Sequence, residues 1–460
     1  MRDRGWAGAL LAGLAAASGA GQAAAETSAL VVMGPAGAVA RVITDAQSCP
    51  DILIDGRARA MRLRAPAATV AQRPTLSKVE LSKPSAFPVT ACEAPLPRGA
   101  RKISVAGRPL PAPKAVVRRI VVIGDTGCRM KEADHAYQAC NDEAAYPFAH
   151  VAARAAAWKP DLVIHVGDYQ YRENPCNEAV ADCRGSPWGY GWDAWKADFF
   201  APGAPLLAAA PWVAARGNHE DCARAGQGWM RFLDPAPLSA ERACDDPASD
   251  LATDDATPYA VPLGGGAQVI VADMASAGNK PTAADDPRHA QFAADRAVIE
   301  RLSRQAGFTF LTLHKPILGF AALVKDDHPF LAPATSGIQS VFAEADPAIL
   351  PEGVDVILSG HIHVWEQVSF SSGHPSQFIA GFSGTQEDIV PLPSTLPPGA
   401  SPAPGAKVEA FSSWVDGFGY MTLERRAADR WTVKVWGVDG RLMNRCEIHG
   451  KRSRCEKASV

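Results

Sequence analysis

The chain of 460 residues reads as an α/β protein preceded by a small β domain. Three observations predict this. From Val116 onward, short apolar runs rich in branched residues recur between breaks, as buried strands do. Helical stretches lie between several of them, and strands alternating with helices build βαβ units. Before that point the chain is a series of short β-like runs parted by Pro and Gly, with no sustained helical period. Apolar residues make up 47% of the chain and charged residues 21%, a globular balance that excludes disordered and fibrous classes. Lys and Arg number 46 against 49 Asp and Glu, so there is no basic excess of the kind that tracks along nucleic acid.

Taken in order, the chain opens with Arg2 and Arg4 before an apolar run from Trp6 to Ala20, then Ala23-Ala24-Ala25 and Glu26. A charged start, a short apolar stretch and an A-x-A site predict a signal peptide over residues 1–25 and a secreted or periplasmic protein. The run is too short to span a membrane, and no later stretch reaches the roughly 18 apolar residues a span needs. Ten cysteines, an even number, suit an oxidising compartment. Sequence alone leaves their connectivity open; pairing neighbours joins Cys128 with Cys140, Cys176 with Cys183, Cys222 with Cys244, Cys446 with Cys455, and Cys49 with Cys92. The absence of C-x-x-C argues against redox or zinc-ribbon roles.

Residues 26–113 form the expected small β domain, a sandwich with strands at 38–43, 60–63 and 103–105, and a linker at 109–113. Residues 114–460 form the α/β domain, with strands at 120–123, 162–166, 269–271, 308–313 and 354–358 and helices at 144–158 and 292–305. The Pro-, Ser- and Gly-rich stretch 391–407 reads as an inserted surface loop. Terminal strands are expected at 431–436 and 442–448, joined by a turn at Asp439-Gly440.

The chemistry lies at strand ends. Five motifs each follow a β-like segment: Gly124-Asp125-Thr126-Gly127, Gly167-Asp168-Tyr169-Gln170-Tyr171, Gly217-Asn218-His219-Glu220, His314, and Gly360-His361-Ile362-His363. Loops at the carboxyl ends of strands in an α/β sheet converge on one crevice. The motifs bring two Asp, a Tyr, an Asn and three His as donors, an oxygen and imidazole set suited to Fe, Mn, Zn or Mg rather than to thiolate chemistry. Seven donors exceed the needs of one tetrahedral ion; they suit two ions sharing a carboxylate, about 3.5–4 Å apart, an arrangement that clamps both oxygens in displacement at phosphorus.

Each piece has a plainer reading. A lone Gly-Asp is a common turn, and a lone His after a strand more often packs a core. The weight rests on all five motifs in one chain. Tyr169 competes with Tyr171 as the phenol donor. His165 lies within a strand, and alternation points it away from Asp168, to core packing or to steadying a donor. Lys315, Arg129, Arg216 and His135 could meet a phosphate, though solvated surface roles are the plainer expectation for each.

Gly-Asp-x-Gly, Gly-Asp-x-x-Tyr, Gly-Asn-His-Glu, x-x-x-His and Gly-His-x-His, in that order, resemble the calcineurin-like metallophosphoesterases over residues 119–440, and within them the purple acid phosphatase branch. Gly127 stands where the wider superfamily carries a His, and Tyr171 stands where the branch carries its iron-bound phenolate. The resemblance implies an α/β/β/α sandwich, two facing mixed sheets flanked by helices. It implies that Asp125, Asp168, Tyr171 and His363 hold a first ion, Fe(III), and that Asp168, Asn218, His314 and His361 hold a second, divalent ion (Fe, Zn, Mn or Mg). His219 is implied to be a non-ligand that meets the phosphate or protonates the leaving oxygen. The implied function is a phosphatase that hydrolyses small-molecule phosphate monoesters by direct attack of metal-bound hydroxide.

This chain departs from the plant members after Gly-His-x-His, where it has Val364-Trp365-Glu366-Gln367, and in the Pro-rich insertion, so substrate contacts do not transfer. A phosphodiesterase or nucleotide pyrophosphatase would share every motif. A metal- or phosphate-binding protein on the same scaffold is the non-enzyme alternative, against which the intact His219 argues. A covalent phosphatase is disfavoured because Asp125-Thr126-Gly127 lacks a second acid and no Gly-x-Ser-x-Gly is present.

Overall fold

A computed structural model describes residues 26–177, 179–325, 328–386, 392–393 and 395–457; the expected signal peptide lies outside them. The apolar run after Val116 forms the strand Arg119–Ile123. It pairs in parallel with Leu162–His165, which pairs in parallel with Trp212–Ala214. The two-residue period sends Ile120, Val122, Leu162, Ile164 and Val213 to one face and Val121, Ile123, Val163 and Trp212 to the other. Both faces are buried, which is why these strands read as continuous apolar runs rather than alternating ones. A second sheet repeats the logic: Ala267–Asp273, Phe308–Thr312, Val356–Ser359 and Ser376–Ala380 run parallel to one another.

Val269, Phe308, Phe310, Val356 and Leu358 meet the inner face of the first sheet in one shared core. Phe148–Ala157 covers the outer face of the first sheet, and Pro287–Ser303 with Ser336–Ala345 covers that of the second. The layers are therefore helix, sheet, sheet, helix. The helix Pro287–Ser303 begins five residues earlier than its apolar pattern suggests, because Pro287 opens it and the Asp286 carboxylate caps it by accepting from Arg288 N.

The N-terminal strands are spliced into this core. Thr27–Gly34 and Gly37–Thr44 form a hairpin, and Val32 pairs in parallel with Trp212. Among the described residues the first sheet thus has eleven strands, with the N-terminal strands at one end and the C-terminal ones at the other. A four-stranded sheet containing Asp51–Ile54 and Ile103–Val105 lies over its N-terminal end, packing Ile52, Ile54 and Ile103 against Val31, Val42 and Cys92. The N-terminal strands thus share a sheet with the α/β core, and the four-stranded sheet packs on that shared sheet.

Other expectations shift locally. The strand expected at 60–63 is two strands, Arg57–Ala60 and Arg62–Ala65, parted at Met61. Part of the expected linker is the strand Arg108–Leu110. The described part of the Pro-rich insertion is more than a surface loop, since Leu392, Ala403 and Ala406 are buried against the helix-covered core of the second sheet. Arg430–Gly437 and Leu442–His449 pair antiparallel as expected, and Arg452–Lys457 adds a further strand. All five cysteine pairs are those of sequence neighbours and Cys49 with Cys92. Among the described residues no helix is long and apolar enough to cross a membrane.

Candidate metal centre

Each motif leaves the carboxyl end of a strand, and both sheets contribute. Asp125, Asp168 and Asn218 follow parallel strands of the first sheet; His314, His361 and His363 follow strands of the second. Asp125, Asp168 and His361 adopt left-handed backbone conformations, with φ of 54°, 58° and 73°. Non-glycine residues seldom adopt these angles, and such strain concentrates where a side chain must be aimed. The glycine before Asn218 answers a different need: a Cβ on Gly217 would stand 2.0 Å from Asp168 Oδ1.

The seven predicted donors converge. The Tyr171 hydroxyl lies 2.7 Å from Asp168 Oδ2, 2.9 Å from Asp125 Oδ1 and 3.0 Å from His363 Nε2. His314 Nε2 lies 3.0 Å from Asp168 Oδ2 and 3.1 Å from Asn218 Oδ1. Donor atoms of Asp168, His314 and His361 all fall within 4.8 Å of one another. Asp168 stands at the centre, touching both halves of the cluster.

Two of the imidazoles are oriented from behind. His314 Nδ1 meets the Val166 carbonyl at 2.9 Å, and His363 Nδ1 meets the Gln386 carbonyl at 2.9 Å. A carbonyl can only accept, so each Nδ1 carries a proton, and the neutral ring presents its Nε2 lone pair inward, the form in which histidine binds a metal.

The electrostatics agree. Burial pushes the Asp125 carboxyl above its ordinary value, and the nearby histidines only partly offset it. Burial also pushes Asp168 upward, but His314 and His219 outweigh it and hold that carboxyl well below the usual range. Burial would lower His314, yet Asp168 raises it to about 8. Burial, then Asp125 and Asp168, raise the Tyr171 phenol well above its ordinary value. Asp125 Oδ1, Asp168 Oδ2 and His363 Nε2 are three potential acceptors crowded around the single proton of the Tyr171 hydroxyl. A cation relieves that crowding.

His219 stands at the edge of this group. Its ring lies against Tyr171, tilted by 34° with centroids 3.7 Å apart, and its Nε2 lies 3.9 Å from Asp168 Oδ2. Nδ1 lies 3.0 Å from Glu173 Oε1, and Arg224 Nη2 lies 2.6 Å from the same nitrogen. Burial and then Arg224 lower its pKa to about 4.

Several supporting residues escaped the sequence reading. Glu220 is fully buried, and its carboxylate accepts from Gly217 N and Asp168 N at 3.1 Å, Tyr169 N at 2.8 Å and Gln170 N at 3.2 Å. It ties the second motif to the third. Asp198 accepts from Cys128 N, Tyr171 N and Arg172 N, tying the first to the second. Glu173 holds Arg224 and the Tyr190 hydroxyl. The acid closing Gly-Asn-His-Glu was a visible signal for Glu220; for Asp198, distant from every motif, there was none.

The remaining candidates divide. His165 is buried, 3.0 Å from Thr126 Oγ1 and stacked on Tyr169, the core role expected of it. The Tyr169 hydroxyl donates to the Ala215 carbonyl at 3.0 Å, away from the donors. Arg216 is not a surface cation: it is buried and paired with Asp273 and Asp254. Lys315 is also buried, its ammonium donating to the Ala277 carbonyl. Arg129 pairs with Asp134 at 3.0 Å, and His135 is exposed in a left-handed turn.

A family model described as calcineurin-like phosphoesterase matches residues 118–365. Among solved structures, a purple acid phosphatase from yellow lupin (Lupinus luteus) seeds superposes with a TM-score of 0.54 at 14% identity, over 93% of this chain and 74% of that one. A structure of PhoD gives a TM-score of 0.49 at 13% identity, over 94% and 92% of the two chains. A search of curated proteins finds no match.

Proposed function

The chain belongs to the calcineurin-like phosphoesterase family, and on that premise we propose that it is an exported, dinuclear-metal phosphatase acting on phosphate monoesters. The observation that carries this reading is the crowd of acceptors around the Tyr171 hydroxyl, three of them within 3.0 Å. Such a donor set fits a pair of hard or borderline cations and little else. Asp125, Asp168, Tyr171 and His363 would hold the first, Fe(III) on the likeness to purple acid phosphatases. Asp168, Asn218, His314 and His361 would hold a divalent second. Bound there, the ions would lower the pKa of a water molecule and neutralise charge on the phosphate.

The chain's own residues do the rest. Asp168 bridges the two halves, and the backbone carbonyls of Val166 and Gln386 keep His314 and His363 in the ligating tautomer. His219 protonates the leaving oxygen, with Glu173 orienting its ring through Nδ1. In the resting site burial and Arg224 keep that ring neutral above a pKa of about 4. A phosphate anion beside it offsets Arg224 and favours the protonated form. Free-enzyme activity on alkyl esters therefore falls as pH rises, on the acid side of histidine's ordinary 6.5. Five disulfides support the exported location.

The test is His219→Ala, assayed by metal analysis and by turnover of an alkyl phosphate. Both ions are expected to stay while kcat drops by about 10²–10⁴-fold, the usual worth of a positioned acid. Undiminished turnover would remove the acid role. Wild-type turnover persisting after complete metal removal would overturn the phosphatase mechanism itself.

A further inference from the structure

Beside the donor cluster lies a cavity of about 480 Å³, large enough for a compact organic group. Two hairpins frame it. Met130–Lys131 with Ala136–Tyr137 follows the first motif, inside the loop closed by the Cys128–Cys140 disulfide. Phe320–Lys325 with His328–Pro333 follows the fourth. The second hairpin is anchored at its base, where Phe320 N donates to Glu366 Oε1 at 3.0 Å.

Three residues tie the cavity to the site. Ile362 lines it from between His361 and His363. Gln386 lines it and carries the carbonyl that receives His363 Nδ1. Arg129 lines it and lies close enough to Tyr171 for its charge to act on the phenol. The hairpin wall is apolar, and Val324 on it is 52% exposed. Arg129 pairs with Asp134, so the opposite wall offers Tyr137 and His135 beside an ion pair.

We propose that this cavity receives the organic part of the ester, and that the preferred substrates are phosphate monoesters of alcohols bearing a compact aromatic or similarly apolar group. The proposal rests on the phosphatase reading and adds a substrate class to it. Hydrophobic filling acts on KM and on kcat/KM through burial of apolar area, so it discriminates esters of equal chemical reactivity.

The experiment compares benzyl phosphate with ethyl phosphate, whose alcohols are similar leaving groups, using the metallated full chain. Wild type is expected to favour the benzyl ester by about tenfold or more in kcat/KM, mostly through KM. In Ala322→Trp, which fills the cavity, and Val324→Asp, which charges its exposed wall without touching the core, that ratio should fall towards one. Val79→Asp, an exposed apolar position outside the cavity, should leave the ratio at its wild-type value. Turnover of both esters without preference, or a preference that survives in Val324→Asp, would overturn the pocket and leave the phosphatase reading intact. Failure to hydrolyse either ester would overturn both.

Discussion

Position 127 has no room for a side chain, since a Cβ there would stand 2.7 Å from Tyr171 N and 2.8 Å from Asp198 Oδ2. The histidine usual in the wider superfamily is excluded by the same loop that delivers Tyr171. The loop that carries Tyr171 therefore leaves position 127 to glycine. Choosing Tyr171 over Tyr169 needed the position three residues past Asp168, and the structure gives the reason: Tyr169 is turned into an aromatic core with Phe199 and Trp229. With iron bound as proposed, Tyr171→Phe keeps the buried ring and the fold but abolishes phenolate absorption in the visible spectrum. Absorption retained in that variant would take Tyr171 out of the ligand set.

Loops that carry donors are held by carboxylates rather than by their own turns. Glu220 gathers four backbone N–H groups from two motifs. Glu220→Gln puts an amide NH₂ against N–H donors and leaves some of them unsatisfied in a buried place, so a loss of about 1–3 kcal/mol is expected in denaturant unfolding. Glu366 plays a comparable part at the base of the cavity hairpin. Burial raises its pKa from an ordinary 4.5 to about 8, opposed only in part by the Phe320 N–H. Below about 4.5 both folded and unfolded chains hold the proton; between 4.5 and 8 only the folded chain does, so this group's contribution to stability is lost as pH rises through that window. Glu366→Gln, which cannot ionise, should flatten that part of the decline in melting temperature between pH 5 and pH 8, and an unchanged slope would show that Glu366 is ionised in the folded chain. Glu220 was marked by its motif, but ties such as Cys128 with Asp198 and Phe320 with Glu366, 70 and 46 residues apart, were illegible beforehand because no local pattern marks the carboxylate.

Across the molecule the proposed ions would join the two sheets, since Asp125, Asp168, Tyr171 and Asn218 come from one and His314, His361 and His363 from the other. Their removal should therefore cost global stability as well as activity. Chelation is expected to lower the melting temperature, with a loss of about 2.7 kcal/mol for each ion present at 100 times its dissociation constant. A melting temperature indifferent to chelation, in protein shown by metal analysis to have been stripped, would deny the cross-link. The α/β core and the five motifs were readable in the linear chain, because apolar period and glycine-flanked polar residues are local signals; the cysteine connectivity was open there, and the folded chain pairs sequence neighbours and Cys49 with Cys92. Three further things emerged only in the folded chain: the N-terminal strands' incorporation into the first sheet through Val32 and Trp212, the carboxylates that hold the loops, and the cavity between two hairpins. Strand pairing, burial of an acid and enclosure of space depend on which distant segments meet, and no single stretch of residues carries that information.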